Sequence, residues 1–392
     1  MKILMIHPHD LFDLSEPWTI RIKSLAREFL KQNHQVKIAY FPLKKNSSTA
    51  DCPDSGFKTI ELERRRGLHV MAKNTIRLIR ESSWADIVHF QKCFHYASIP
   101  AIIASWINKK PLHYDWDDWE TKIYFYGKPV SPMIGLYMWI LERALPKFAD
   151  SVSLSSRRLY LLATEDYCLS KNRACLAPVG ADLNRFKPEN SAHIIRKKYR
   201  ISGPIVLYLG QLHGAQYAEL LIHAAQIVLQ WHPTTIFFIV GGGYRLEELK
   251  LLAKRLDVAE SIIFTGFLPH EQIKDYIAAA DVCVASFSNN EITKSKSPLK
   301  LAEYLASGKA IVASNVGEVR NMVGGVGILV EPGNHIILAG GINELLSRPD
   351  LRAKMEVLAR RRAEEKYNWA WTADNILASY KKLVKGYESK KI

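Results

Sequence analysis

Ser297–Ser314, SPLKLAEYLASGKAIVAS, reads as a helix, a turn and a buried strand. Ser297 suits an N-cap and Pro298 the first helical turn. Leu299, Ala302, Leu305 and Ala306 recur at helical spacing and define one apolar face. Gly308 stands where a C-terminal glycine ends a helix, and Ala310–Ala313 is a short apolar run that predicts a buried strand. Lys300 and Glu303 are three apart and share the face opposite the apolar one. Lys300 falls in the first turn, where free backbone N–H groups and the positive dipole end favour an anion. A cation and a carboxylate beside such a helix start suit a ligand with phosphates and a sugar hydroxyl. The alternative is an ordinary capped helix carrying a solvated ion pair.

Outward from this stretch, the chain alternates strand and helix. Lys2–His7 predicts a strand, Ile22, Leu25, Ala26, Phe29 and Leu30 follow at helical spacing, and Val36–Tyr40 is the next strand. This β–α–β opening belongs to a parallel α/β sheet. Ile87–Phe90, Leu112–Asp115, Ser151–Leu154 and Ala174–Pro178 continue the series, with a helix over Ala101–Ile107. Val179–Pro188 is turn-rich and reads as a connector. A second series follows with strands at Ile205–Leu209, Ile236–Val240, Ile262–Thr265, Val282–Ala285, Ala310–Ala313 and Gly327–Val330. Helices are expected between them, at Arg245–Leu256 and Glu271–Ala279 among others. The expected organisation is α/β, with two Rossmann-like, doubly wound domains over residues 1–182 and 190–369. The charged, amphipathic end of the chain, about 370–392, is expected to pack back on the first domain.

A chain of 392 residues with 48% apolar content is long enough for two cores. Its five cysteines (Cys52, Cys93, Cys168, Cys175, Cys283) form no CxxC pair and have no histidine at metal spacing. That argues for a reducing compartment and against structural zinc. The start, MKILMIHPHDLFD, lacks the pattern of a signal peptide, and no run approaches the roughly 18 apolar residues that a membrane span needs. A cytoplasmic location is the expectation. The net charge of +15 fits anionic partners, namely nucleic acid, an anionic membrane face or a phosphorylated substrate. No nucleic-acid module is recognisable, so nucleic acid is not expected as a partner. The basic clusters at Arg64–Arg66, Arg196–Lys198, Arg360–Arg362 and Lys381–Lys382 read mostly as solvated helix faces.

The order of segments resembles glycosyltransferase family 4, the retaining glycosyl transferases group 1 of GT-B fold. The resemblance rests on VGADLNRF (Val179–Phe186), VLYLG (Val206–Gly210), FIVGGG (Phe238–Gly243), FTGFLPHEQIKDYIAAADVCV (Phe264–Val284) and the opening stretch. It implies two Rossmann-like domains facing across a cleft. The second would bind a nucleotide-sugar donor, UDP- or GDP-linked, and the first a glycan or lipid-linked acceptor. Transfer would retain configuration and need no metal or other cofactor. Glu303 is similar to the family's ribose-binding glutamate; Pro298, Leu299 and Lys300 would meet the diphosphate, the last two through backbone N–H groups. Gly210, Gly241 and Gly242 would let the backbone approach the ligand, and Phe267, Leu268 and Pro269 would wall the base pocket.

The chain also departs from the pattern. Eight residues before Glu303 the family usually has a second glutamate; here it is Ser295, with Glu291 out of register. The reading S-P-x-K-x-x-E-Y matches a subgroup instead. Gln211 and Gln216 stand where the family usually offers Arg and Lys to the diphosphate, so Lys294, Lys296 and Lys300 would have to supply the charge. Leu14–Trp18 replaces a glycine-rich loop of the first domain.

In the first domain, His113–Glu120 reads HYDWDDWE. An acid pair past a strand end suits orienting or deprotonating an acceptor hydroxyl, with Asp118 ahead of Asp117; loop capping is the alternative. His7 and His9 follow the first strand, and His9 reads as a satisfied loop histidine. Ile123–Phe148 is aromatic and apolar and is flanked by Lys122, Lys128, Arg143 and Lys147. It is either a docking element for an anionic membrane surface, on the inner face of the cell membrane, or a buried helix. Two other functions compete with transfer: a catalytically weak protein that binds nucleotide sugar or a partner, and another GT-B enzyme such as a sugar-nucleotide epimerase.

Overall fold

A computed structural model describes residues 1–14, 16–43, 56–65, 67–126, 131–213 and 217–389. Cys52, Arg66, Lys128 and Gln216, named above, lie outside the described residues, as does Ser15 within Leu14–Trp18. The chain divides into two compact units, Met1–Pro178 with Trp369–Ile392, and Val179–Asn368.

The first unit holds strands β1 (Lys2–His7), β2 (Gln35–Tyr40), β3 (Lys58–Glu61), β4 (Ile87–Gln91), β5 (Leu112–Trp116), β6 (Ser151–Leu154) and β7 (Ala174–Leu176). They form one sheet in the order β3-β2-β1-β4-β5-β6-β7, with every pair parallel. The second holds β8 (Ile205–Leu209), β9 (Ile236–Val240), β10 (Ile262–Gly266), β11 (Val282–Ala285), β12 (Ala310–Ser314) and β13 (Ile328–Val330). Its order is β10-β9-β8-β11-β12-β13, again all parallel. Apart from β2 and β3, successive strands of each sheet are joined through helices, and strands such as Ile3–Ile6 and Val282–Ala285 are fully buried. This is why they read as continuous apolar runs rather than alternating ones. In both sheets the strand order reverses beside the first strand, between β1 and β4 and between β8 and β11. Such switch points open a crevice beyond the carboxyl ends of the strands.

The helix of the opening stretch runs Leu299–Ala306, and two expectations about it change. Ser297 does not cap it: Pro298 occupies the N-cap position, and Ser297 Oγ accepts from the Val179 N–H at 3.1 Å. Pro298 therefore precedes the first turn instead of opening it. Nor do Lys300 and Glu303 share a solvated face, for they are only 8% and 2% exposed. The helix is covered on all sides, by the Pro349–Glu365 and Gly317–Val323 helices and by β11.

Arg360 and Arg362, read as a solvated face, instead donate to backbone carbonyls, Arg360 to Phe186 and Ala306 and Arg362 to Asn321. β3 and the Leu68–Trp84 helix are elements the reading did not include. The last helix, Trp369–Ser389, belongs to the first unit and packs on the Pro17–Lys31 helix, β6 and β7. Its Tyr380 is fully buried, with the hydroxyl 2.5 Å from His89 Nδ1 and the ring against Phe29 and His113. Among the described residues, no helix is long and apolar enough to cross a membrane.

Candidate functional site

In the second unit the expected donor residues cluster at the β8/β11 switch point. The turns after β8 and β9 are stacked on each other. Gly210 N–H donates to Val240 O at 2.9 Å, Gly241 N–H to Gly266 O at 3.1 Å, and Leu212 N–H to Gly242 O at 2.9 Å. Gly241 has φ 143°, and a Cβ there would lie 1.9 Å from the Gly210 carbonyl oxygen. The close approach that demands glycine at 241 is thus made by the neighbouring turn. Gly242 lies against Phe267, whose ring is 62% exposed. Gln211 is half-buried beside them. An exposed pair, His213 and Tyr244, stacks at 5.1 Å and 15° on the same edge.

Lys300 extends from the helix start into the switch point. Its Nζ stands 4.3 Å from the ring of Tyr208 on β8 and 5.2 Å from that of Phe287, two residues past β11. Burial, with the charge of Lys296 added, pushes the Lys300 ammonium down to about 7. A buried, readily neutralised ammonium between aromatic rings is a place where an anion restores the charge. Glu303, one turn on, meets His270 Nε2 at 2.6 Å, and Arg185 reaches His270 Nδ1 at 3.1 Å. Lys296 is half-buried, and Lys294 pairs with Glu291 at 3.0 Å. Ser295, in the place of the family's second glutamate, is buried and donates to Ile292 O.

In the first unit, Asp117 and Asp118 meet a residue that sequence reasoning missed. Lys92 follows β4 with φ 66° and is 4% exposed. Its Nζ lies 3.1 Å from Asp117, 2.7 Å from Asp118 and 2.5 Å from Glu120. The three carboxylates could otherwise share a metal ion, since their oxygens lie within 4.8 Å of one another. Here the Lys92 ammonium supplies the positive charge. Burial lifts the Asp117 carboxyl to about 7 against the pull of Lys92, with Asp118 and Asp115 adding to the rise. Burial would lift Asp115 too, but a two-pronged bond from Arg21, at 2.8 and 2.7 Å, holds its carboxyl well below the usual range.

A hydrogen-bonded chain crosses this unit's β1/β4 switch point. Thr19 Oγ1 lies 3.2 Å from His7 Nε2, His7 Nδ1 lies 2.9 Å from Gln91 Oε1, and Gln91 Nε2 donates to Asp117 at 3.3 Å. Both ring nitrogens of His7 are engaged and the side chain is fully buried, so His7 is the satisfied histidine of the pair. Burial pushes it down to about 3. His9 is 15% exposed, 4.0 Å from Asp13, with its ring on Trp18. Trp18 also lies under Lys92 Nζ at 5.1 Å. The sequence offered one cue to Lys92 and Gln91: they end a strand at a switch point, where parallel sheets place functional side chains.

The Pro132–Phe148 helix is anchored from within by Glu142, fully buried, which accepts from the backbone N–H groups of Glu120 and Thr121. Its opposite side is exposed: Met133 at 77%, Leu136 at 52%, Ile140 at 50% and Phe148 at 56%. The alternative of a buried helix therefore does not hold. Lys122, Arg143 and Lys147 are exposed nearby.

Residues 192–362 match the family model for glycosyl transferases group 1. Over 200 residues the chain is 30% identical to a GDP-mannose-dependent alpha-(1-6)-phosphatidylinositol monomannoside mannosyltransferase of Mycolicibacterium smegmatis, covering 50% of this chain and 52% of that one. A D-inositol 3-phosphate glycosyltransferase of Acidothermus cellulolyticus is 30% identical over 227 residues, 55% of this chain and 49% of that one. The matched stretch thus spans about half the length of these curated relatives. Among solved structures, sucrose-phosphate synthase from Thermosynechococcus elongatus superposes with a TM-score of 0.79 at 20% identity, covering 98% of this chain and 100% of that one. Anabaena Alr3699/HepE in complex with UDP-glucose gives 0.77 at 18% identity, with the same coverage of each chain. Residues 192–362 are thus similar to the glycosyl transferases group 1 family, in a chain with the two Rossmann-like units of the GT-B fold.

Proposed function

We propose that this protein transfers a sugar from a nucleotide-sugar donor, UDP- or GDP-linked, to a hydroxyl of a glycan or lipid-linked acceptor. The observation that carries the reading is Lys300 Nζ between Tyr208 and Phe287, at the switch point of a domain similar to the group 1 glycosyltransferases. In this reading Lys300, with the backbone N–H groups of Leu299 and Lys300 after Pro298, holds the diphosphate. These groups stabilise the charge that grows on it as the bond to the sugar breaks. Lys296 adds positive charge, and Glu303 accepts from the ribose hydroxyls. Gly210, Gly241 and Gly242 form the floor, Phe267 the wall of the base site, and Gln211 a neutral donor to phosphate; Gln216 would be a second. Asp118, with Asp117, orients the acceptor hydroxyl and draws on its proton. Transfer proceeds with retention and without a metal ion.

The names of the relatives support a nucleotide-sugar donor and an acceptor bearing phosphate or lipid. A lipid-linked acceptor also agrees with the exposed apolar side of the Pro132–Phe148 helix and its flanking cations, which suit the anionic inner face of the cell membrane. In this reading the enzyme works in the cytoplasm, in cell-envelope polysaccharide or glycoconjugate synthesis. Thermal unfolding with UDP, GDP and their sugars tests the donor site: a stabilising nucleotide is expected, with the effect weakened and most of the transfer activity lost in Glu303→Ala. An unchanged Glu303→Ala enzyme would mean that the donor site is misplaced. Flotation with anionic vesicles tests the surface, and no recovery at low salt would remove it from the reading. Gln211, where a cation is the rule, favours a second reading, a nucleotide-sugar-binding protein with weak or no transfer. Donor hydrolysis or transfer above background would exclude it.

A further inference from the structure

Glu303 alone is a flexible carboxylate; the structure gives it a fixed neighbour. Arg185 belongs to the turn-rich segment that opens the second unit, and its backbone carbonyl accepts from Asn190 at 2.7 Å. Its guanidinium lies 3.1 Å from His270 Nδ1. A guanidinium has no lone pair to offer, so Nδ1 must accept and the neutral ring must carry its proton on Nε2. That N–H points at Glu303 Oε1, 2.6 Å away. The ring of Phe186, itself 1% exposed, leans on His270 with centroids 5.7 Å apart. The imidazole is thus fixed in orientation by Phe186 and in tautomer by Arg185.

We propose that Arg185 and His270 are positioning residues for ribose recognition: Arg185 fixes the imidazole tautomer, and His270 fixes the Glu303 carboxylate with one oxygen toward the ribose hydroxyls. The inference rests on the reading of Glu303 as the ribose acceptor. Binding then needs no reorientation of the carboxylate, and the histidine, not Lys300, is its structural partner. A held carboxylate also distinguishes a ribose from a sugar lacking the two hydroxyls, because only the former satisfies the remaining oxygen.

Isothermal titration of the full chain with UDP and GDP, and with their 2′,3′-dideoxy forms, tests it. The wild-type protein is expected to prefer the ribonucleotide by at least about tenfold, the scale of one charge-assisted hydrogen bond. His270→Ala should bring that preference to within about threefold while leaving the dideoxy affinity unchanged, and Glu303→Ala should do the same. His270→Gln, which keeps an N–H donor, should restore part of it, and Arg185→Met should lower it without removing it. A merely structural role would weaken both nucleotides alike and lower the unfolding midpoint, and that result overturns the proposal. A preference lost in Glu303→Ala but intact in His270→Ala overturns the proposal alone. A wild-type protein that binds neither nucleotide overturns the donor-site reading and the positioning role with it.

Discussion

If Lys300 receives the diphosphate, donor binding must take up a proton. The ammonium, held down to about 7 by burial and Lys296, is roughly one tenth charged at pH 8 in the empty protein. An anion beside it restores the charged form and returns the group toward its ordinary 10.5. Close to one proton should therefore enter per nucleotide bound between pH 8 and 8.5. The affinity should fall about tenfold, or about 1.4 kcal/mol, for each pH unit from 7.5 to 9. The nucleotide's own terminal phosphate, with a pKa of about 6, is fully ionised throughout that window and adds no slope. Titration calorimetry of UDP and GDP in two buffers of different ionisation enthalpy reads the proton directly. Lys300→Met should bind more weakly, with neither slope nor proton uptake. An affinity that is flat from pH 7.5 to 9 with no buffer dependence in the wild-type protein would show that Lys300 does not meet the phosphates.

Three further outcomes follow from the geometry. With its folded-state pKa raised to about 7, Asp117 keeps a proton that the unfolded chain releases nearer 3.8, so its contribution to stability is lost as pH rises through that window. The unfolding midpoint of Asp117→Asn minus that of the wild type should grow from pH 5 to pH 8; a gap that shrinks would refute the assignment. Gly241→Ala forces a Cβ to 1.9 Å from the Gly210 carbonyl and should cost more than about 3 kcal/mol in urea unfolding. Gly266→Ala, at φ 68° with open space around it, should cost only about 1–2 kcal/mol, and equal losses would contradict the packing described. A chain cut after Asn368 should keep a protease-resistant 179–368 while 1–178 becomes susceptible, as judged by limited proteolysis and mass mapping.

The strands were legible because a parallel sheet covered on both faces needs short, wholly apolar runs, such as Ile3–Ile6 and Val282–Ala285. β3 escaped because Lys58–Glu61, KTIE, is a four-residue edge strand with polar ends. The Ser297 cap failed for a reason outside local sequence: its hydroxyl is recruited by the amide of Val179, 118 residues earlier. Spacing put Lys300 and Glu303 on one side of a helix, but only the packing of two further helices and a strand decides that this side is dry. The same holds for their partners. His270 reaches Glu303 across 33 residues, Arg185 reaches His270 across 85, and Lys92 meets Asp118 across 26. Spacing rules act over three or four residues, so such groups are placed by the sheet order alone.

The last helix closes the unit that the first residues begin, with Tyr380 reaching His89 across 291 positions. During translation the order of manufacture is therefore not the order of completion. Residues 179–368 are contiguous and can finish as they leave the ribosome. The sheet made first waits with Phe29, His89 and His113 uncovered until Tyr380 emerges. In the nascent chain, the half assigned to the acceptor becomes complete only after the half assigned to the donor.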